Sequence, residues 1–466
     1  MSAQPSRTDS PGSFKISKSR REAFAILLQL ERKQTHSDDL LRSHRVSALS
    51  PQDRNLCTTL VLGVLRWQIR LDSLIEQLLA KPNARLDPEV RIALRLGAFQ
   101  LLFLDRIPAH AAIGESVALA KLAGHKFASR MVNAVLRKLA AQPKPQLIPD
   151  SNLSPAGLAL ATSHPVWLVE RWAANYGLES TREICLHGQQ QPELSIRIPI
   201  SVIEPELIEQ GIELAPGAIL TSGRRVLSGD VTSTSAFRSG QIRIQDEGSQ
   251  LIAELAGHGN HILDCCAAPG GKTLILAERN PQAAIIALEI SPGRCQALES
   301  RVAASPFANQ IQVRQADATS LAAGQTFDLV LADVPCSGTG TLGRNPEIRH
   351  RLEPSDLIRH HQRQVEILRS ALHIGTRRVI YSTCSLEPEE NTEVIAQVLA
   401  QASQWQQVSI SNVLLELQEE GRLTQQAATI LRKSGAPDGS LTILPGTFGH
   451  ESQTDGFFIA ILERFR

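Results

Sequence analysis

The 466-residue chain has no run of about 18 apolar residues free of charge, so no segment is expected to cross a bilayer as a helix. Its opening, MSAQPSRTDSPGS, lacks the apolar stretch of a secretion signal, and a cytoplasmic location is expected. Cysteine is sparse and scattered. The seven residues Cys57, Cys185, Cys265, Cys266, Cys295, Cys336 and Cys384 are odd in number and contain no CxxC pair, which argues against a disulfide framework and a zinc site, so free thiols and no metal are expected. No internal repeat is found, and the strand-to-helix turn LDCCAAPGGKT carries no GxGxxG. The missing glycine signature weakens a nicotinamide-binding reading of that turn. Aromatics are few, at 4%, but hydrophobic residues reach 42% and charged residues 20%, the ordinary globular range, so disorder is not the default.

What is present divides the chain. Its length calls for two or three domains. The net charge of +1 conceals an asymmetry: residues 1–145 hold 23 Lys and Arg against 12 Asp and Glu, the rest 25 against 35. Such a basic first part is the footprint of polyanion binding or a solvated basic surface. Residues 1–15 are rich in Ser, Pro, Gly and Thr and read as a disordered lead-in. Over 16–140, apolar residues recur at three and four spacing in AFAILLQL, LCTTLVLGVLRWQIRLDSLIEQLL and VRIALRLGAFQLLFL, with SPQD, DPEV and IPAH as punctuation. This predicts an all-α bundle of five to seven helices. Arg20, Arg21, Arg54, Arg66, Arg70, Arg91 and Arg95 fall on these helices as a candidate phosphate-contacting surface. The proline-rich 141–163 reads as a linker. Residues 164–240 read as a small α+β middle domain, with HPVWLVERWAANYG as a helix ending in glycine and LSIRIPI as a strand.

From 241 to 466 strands alternate with helices: HILDCCA, a helix after PGGKT, AIIALEI, a helix to about Ala304, IQVRQAD, FDLVLADVP, a helix near 355–373, and RRVIYSTC. That succession predicts a doubly wound α/β sheet whose ligands sit beyond the carboxyl ends of the strands. The Gln-rich stretch at 401–426 reads as a surface insertion, and DGFF at 455–458 as a core strand near the pocket. In LDCCAAPGGKT, small residues and a glycine pair open a helix, so Ala267, Ala268, Gly270 and Gly271 let backbone approach a ligand closely. A phosphate loop fails because Cys266 occupies the position of its first glycine. Acids end the next strands: Glu289, placed to hold ribose hydroxyls, then Asp317 for a base and Asp333 on the same rim. Cys336 in ADVPCSGTG and Cys384 in YSTCSLEPEEN each follow a strand and precede a serine, where local N–H groups stabilise a thiolate. The other five cysteines read as buried small hydrophobes.

These motifs are similar to those of the bacterial 16S ribosomal RNA (cytosine-5)-methyltransferase family of the Sun/RsmB type, in which a NusB-like helical domain precedes a Rossmann-like class I methyltransferase domain. The resemblance rests on LVLGVLRWQIRLDSLIEQLL, VRIALRLGAFQLLFLDRIPAHAAIGESVALAK, VNAVLRKL, QQPELSIRI, IQDEGSQL, DCCAAPGGKT, ADVPCSGTGTLGRNPEIR, YSTCSLEPEEN and DGFFIA, spread over nearly the whole chain. It implies S-adenosylmethionine as cofactor, RNA as partner, a soluble monomer, and methylation of cytosine carbon 5. It assigns Cys384 as nucleophile and Cys336 to proton removal or enzyme release. Cys266, Ala267, Ala268, Pro269, Gly270, Gly271, Lys272, Glu289, Asp317 and Asp333 go to the cofactor, Asp333 also orienting the cytosine. Glu289 departs from the family's usual Asp. Arg344 and Asn345 read equally as RNA-positioning residues or as a solvated loop. Transfer RNA as substrate, a non-catalytic assembly factor, and a GGKT-based nucleotide hydrolase stand as alternatives.

Overall fold

The computed structural model describes residues 16–32, 35–81, 85–144, 152–199, 203–321, 324–449 and 454–465. The expected lead-in over 1–15 lies outside them. The chain divides into two compact units, 1–189 with 345–350, and 190–344 with 351–466. Among the described residues no helix is long and apolar enough to cross a membrane.

The first unit is helical. Its opening part holds helices Lys18–Arg32, Ser37–Leu41, His44–Ser47, Pro51–Glu76, Pro88–Phe103, Ala109–Leu122 and Ala128–Ala140, within the expected number. The SPQD signal works as read: the Ser50 hydroxyl accepts the Asp53 N–H at 3.2 Å with Pro51 leading the helix, satisfying one of the otherwise orphan N–H groups. The apolar faces close one core around Leu60, Val64, Leu71, Leu94, Leu119 and Leu136. The stretch read as a linker holds a helix instead, Pro155–Ala161, with Ser154 capping the Gly157 N–H. Leu158, Ala159, Thr162, Ser163 and His164 are buried, and the His164 ring meets the Trp172 ring edge-on at 5.8 Å. Prolines suggested a free linker, but Ser-Pro before an apolar cluster is also a helix start. The following helix, Val166–Gln189, is interrupted at Gly177 (φ 78°, ψ 162°), where the helix read from sequence was to end, and it packs within the first unit.

The second unit begins with β1 (Leu194–Arg197), β2 (Glu213–Pro216), β3 (Gly223–Ser228) and β4 (Arg243–Ile244), an antiparallel sheet in the order β2-β3-β1-β4. The larger sheet follows: β5 (His261–Asp264), β6 (Ala284–Glu289), β7 (Ile311–Gln315), β8 (Phe327–Asp333), β9 (Gly375–Thr383), β10 (Trp405–Val408), β11 (Leu441–Ile443) and β12 (Phe457–Arg464). Its order is β10-β12-β9-β8-β5-β6-β7, with β11 also on β12. Strands β5 to β9 are parallel, and β12 runs antiparallel to β9. Alternation along the strands sends Ile262, Leu329, Leu331 and Ile380 to one core and Leu263, Val330, Ala332 and Tyr381 to the other. Both faces are therefore buried, which is why these strands read as unbroken apolar runs.

The Gln-rich stretch is not a surface insertion. Within it β10 pairs with β12, and helices Ile410–Glu419 and Gln425–Ser434 bury Val413, Leu414, Leu417, Ala428 and Leu431 in the core. Gln401, Gln404, Gln406, Gln425 and Gln426 are exposed around apolar-periodic segments, and their number masked the period. DGFF starts β12 as expected, with Phe457 and Phe458 buried.

Candidate active site

Because β5, β6, β8 and β9 are parallel, their carboxyl ends share one rim, and β5 lies between β6 and β8 where the winding reverses. From β5 the chain passes through Cys265 and Cys266 to Gly270, at φ +100°, which starts helix Gly271–Arg279. A side chain at Gly270 would meet Leu298 Cδ1 at 2.6 Å, so both the turn and the packing require glycine. Asp264, at the tip of β5, is buried and accepts the Thr273 hydroxyl at 2.7 Å. Burial pushes its carboxyl up to about 7, the Thr273 bond opposing and nearby Asp333 adding to the shift. Its other oxygen has no protein partner.

A cavity of about 290 Å³ opens on this rim. It is lined by Cys266, Ala268, Glu289, Asp317, Asp333, Cys336 and Cys384, together with Arg294, Arg363 and the apolar Ile290, Val334, Pro335 and Ile367. A neighbouring space of about 90 Å³ is lined by Asp264, Ala267, Pro269, Gly271 and Lys272, and shares Cys266, Ala268 and Asp333 with the first. The residues singled out from sequence thus converge, except Gly270, which shapes the loop without lining either space. Glu289 is buried and accepts the Ser291 N–H at 2.9 Å. Exposed Asp317 is held below the usual carboxylate range, first by the Thr319 N–H at 3.0 Å.

The two strand-end cysteines meet, Cys336 Sγ lying 3.3 Å from Cys384 Sγ. Hydrogen bonding to Cys384 is the foremost cause holding the Cys336 thiol well above its ordinary value, followed by burial and by the charges of Cys384 and Glu390. Beside the pair, Lys272 Nζ sits 2.7 Å from Asp333 Oδ2, while Asp333 Oδ1 accepts the Ser382 hydroxyl at 2.8 Å. Burial pulls the Lys272 ammonium down, but Asp333 outweighs it, and Cys384 adds to the net rise. Cys57, Cys185, Cys265 and Cys295 are buried, as expected, but Cys266 is half-buried and lines both spaces.

Gly340 sets the approach of the Cys336 loop to the Cys384 loop. Its N–H donates to the Cys384 carbonyl at 2.9 Å, and its own carbonyl accepts the Gly456 N–H at 2.8 Å. A methyl group there would stand 2.3 Å from Gly456 O and 2.9 Å from Cys384 O, both backbone atoms. Gly340→Ala is expected to lower stability by about 1–3 kcal/mol, read as a lower urea midpoint with an unchanged slope. An unchanged midpoint would show that the loops separate freely.

Sequence reading went astray on the arginines. Arg20, Arg66 and Arg95 are buried: Arg20 bonds Gln100 at 2.6 Å and pairs with Glu115 at 3.0 Å, and Arg95 forks onto Asp72 at 2.6 and 2.7 Å. Arg91 pairs with Glu31, and Arg70 donates to Ala161 O at 2.9 Å. Only Arg21 and Arg54 of the seven are exposed, because acids and carbonyls of neighbouring segments draw arginines such as Arg20, Arg70 and Arg95 against the fold. Arg344 is likewise committed, to Asp455 at 2.7 Å and Asp246 at 2.9 Å, and Asn345 opens the short segment grouped with the first unit. Asp264, Arg294, Arg363 and Glu390 were missed. Asp264 alone had a signal, an acid ending a predicted strand.

The protein-family model described as 16S rRNA methyltransferase RsmB/F matches residues 254–463. The NusB family matches 17–141, and the ferredoxin-like domain of RsmF/B-like methyltransferases matches 164–224. The probable ribosomal RNA small subunit methyltransferase B of Bacillus subtilis is 33% identical, over 95% of this chain and 98% of its own length. Among solved structures, PH0851 has a TM-score of 0.75 at 23% identity, covering 97% of this chain and 100% of that one. NSun6 from Pyrococcus horikoshii with SFG has a TM-score of 0.52 at 17% identity, covering 64% and 97%. These two likenesses concern the fold.

Proposed function

The chain belongs to the 16S rRNA methyltransferase RsmB/F family, and from that premise we propose that it methylates carbon 5 of a cytosine in small-subunit ribosomal RNA, using S-adenosylmethionine and Cys384 as nucleophile. The observation that carries the reading is the 3.3 Å meeting of Cys384 with Cys336 at the wall of the cavity that also holds Glu289, Asp317 and Asp333.

The cavity suits a nucleoside cofactor: carboxylates of Glu289 and Asp317 face it as hydroxyl and amine acceptors, and Ile290, Val334, Pro335 and Ile367 offer apolar walls to a base. Cys266, Ala267, Ala268, Pro269, Gly270, Gly271 and Lys272 would cradle it, and the unpartnered oxygen of Asp264 suits a cationic donor. When bound, S-adenosylmethionine supplies an electrophilic sulfonium methyl.

Carbon 5 of cytosine is a poor nucleophile. A thiolate at Cys384 adds to carbon 6, forming an S–C bond and moving electron density onto carbon 5, so that carbon 5 can take the methyl group. Asp333, fixed by Lys272 and Ser382, is placed to hold the ring at its nitrogens. Hydrogen bonding to Cys384 is the foremost cause raising the Cys336 thiol and favours its protonated form. Once the Cys384 sulfur is bonded to carbon, that hydrogen-bond partner is gone. Cys336 is then free to lose its proton to water and to take the proton from carbon 5. Loss of that proton re-forms the carbon 5–carbon 6 double bond and expels the Cys384 thiolate. The target base must be unpaired or flipped out to reach the sulfur. The basic helical unit would hold the RNA, with exposed Arg21 and Arg54 available and the buried arginines serving the fold.

Bisulfite sequencing of 16S RNA from a strain lacking the protein tests the reading. One protected cytosine should become convertible, and regain protection when purified protein and S-adenosylmethionine are added. Full retention of every protected cytosine would overturn it.

A further inference from the structure

Glu390 has no part in the reaction as derived, yet it is wholly buried at the end of the short turn Pro388–Glu390. Its Oε1 accepts the Ser337 N–H at 2.8 Å and the Gln364 amide at 3.0 Å. Its Oε2 accepts the hydroxyls of Ser337 and Ser385. Ser337 follows Cys336 and Ser385 follows Cys384, so one carboxylate grips the neighbour of each thiol. The two hydroxyls lie 3.1 Å apart. Gln364 also donates to Pro335 O at 3.0 Å, on the other side of Cys336, and the Tyr381 hydroxyl anchors the turn through Glu390 O at 2.6 Å.

All four donors to the carboxylate are neutral. A buried acidic group is often no more stabilising than a packed apolar residue, so stability alone does not account for it. A carboxylate is an acceptor at both oxygens and can meet four donors at once, which an amide cannot do without turning two of them.

We propose that Glu390 is the positioning residue of the thiol pair: it clamps the Cys336 and Cys384 loops at the spacing where the sulfurs meet, and its charge keeps the proton on Cys336, leaving Cys384 to attack. The inference rests on the cysteine chemistry proposed above. Its electrostatic half agrees with the contribution of Glu390 to the upward shift of Cys336. Other ionisable groups near Cys336 are Cys384 and Tyr381 on β9 and, lining the same cavity, Cys265, Cys266, Glu289, Arg294, Asp317, Asp333 and Arg363. Among the described residues, the Glu390 carboxylate is the group that hydrogen-bonds the residue following each cysteine.

Glu390→Gln and Glu390→Ala, compared with the wild-type protein, separate the two halves. Two readouts are needed: kcat and KM with 16S RNA and S-adenosylmethionine, and iodoacetamide labelling of each cysteine across pH by mass spectrometry, which requires no turnover. In Glu390→Gln the serine hydroxyls can turn to accept, so the fold persists, while labelling of Cys336 moves down by on the order of one pH unit. Its kcat falls about tenfold with the RNA KM within about threefold. Glu390→Ala unties both loops and lowers kcat about 100-fold. An unchanged Cys336 labelling profile in Glu390→Gln overturns the electrostatic half, and an unchanged kcat in Glu390→Ala overturns the clamp. Should the wild-type protein itself transfer no methyl group, the proposed function fails, while the labelling profiles still decide what Glu390 does.

Discussion

Cys384→Ala is expected to lower methyl transfer to 16S RNA by on the order of 10⁴-fold or more, with S-adenosylmethionine affinity within about threefold of wild type. The size follows from the chemistry: without a sulfur bond at carbon 6, carbon 5 must attack as an unactivated aromatic carbon, and no neighbouring group can replace a covalent step. The cofactor should remain bound because the loop from Cys266 to Lys272 and the acids Glu289 and Asp317 owe none of their hydrogen bonds to the Cys384 side chain. Single-turnover transfer from labelled S-adenosylmethionine and a cofactor titration are the two measurements. Activity within about tenfold of wild type would hand the nucleophile's role to Cys336, whose sulfur lies 3.3 Å away.

Cys336→Ala should fail in the opposite direction. Cys384 keeps Lys272 beside it, so the S–C bond to cytosine still forms, but the group placed to take the carbon 5 proton is gone. Resolution should slow by about 100-fold or more, and the protein should accumulate as a covalent RNA adduct, visible as a slow band on a denaturing gel. The band should require S-adenosylmethionine for its full intensity and vanish in Cys384→Ala with Cys336→Ala. Multiple turnovers at the wild-type rate with no adduct would remove Cys336 from proton transfer and leave it as the hydrogen-bond partner of Cys384.

The parts legible in the sequence were those set by local chemistry. Gly270 and Gly271 signal a loop approaching a ligand because only glycine tolerates that backbone, and the apolar runs around Leu263, Val330 and Val379 announce strands buried on both faces. The acids Glu289 and Asp333 were found because parallel strands deliver their carboxyl ends to one rim. The arginines of the helical part were misread for the complementary reason. A charged residue at helical spacing looks the same whether it meets solvent or an acid on another helix, and Glu115 lies 95 positions from Arg20 and Asp72 lies 23 from Arg95. The Gln-rich stretch shows the same blindness to packing, since composition drew attention away from the Val413, Leu414 and Leu417 period that buries its helix.

Residue order by itself determined the kinds of element outside the linker and the Gln-rich stretch, the glycine-opened helix, the acids at strand ends and the presence of two cysteines at strand-to-loop junctions 48 residues apart, because each of these follows from side-chain period or backbone freedom within a few residues. Only the tertiary structure decided that the two sulfurs touch, that Lys272 faces Asp333, and that Glu390 binds both loops. Those facts depend on which strands lie side by side and in what register, and pairing of that kind is settled by burial summed over the whole sheet.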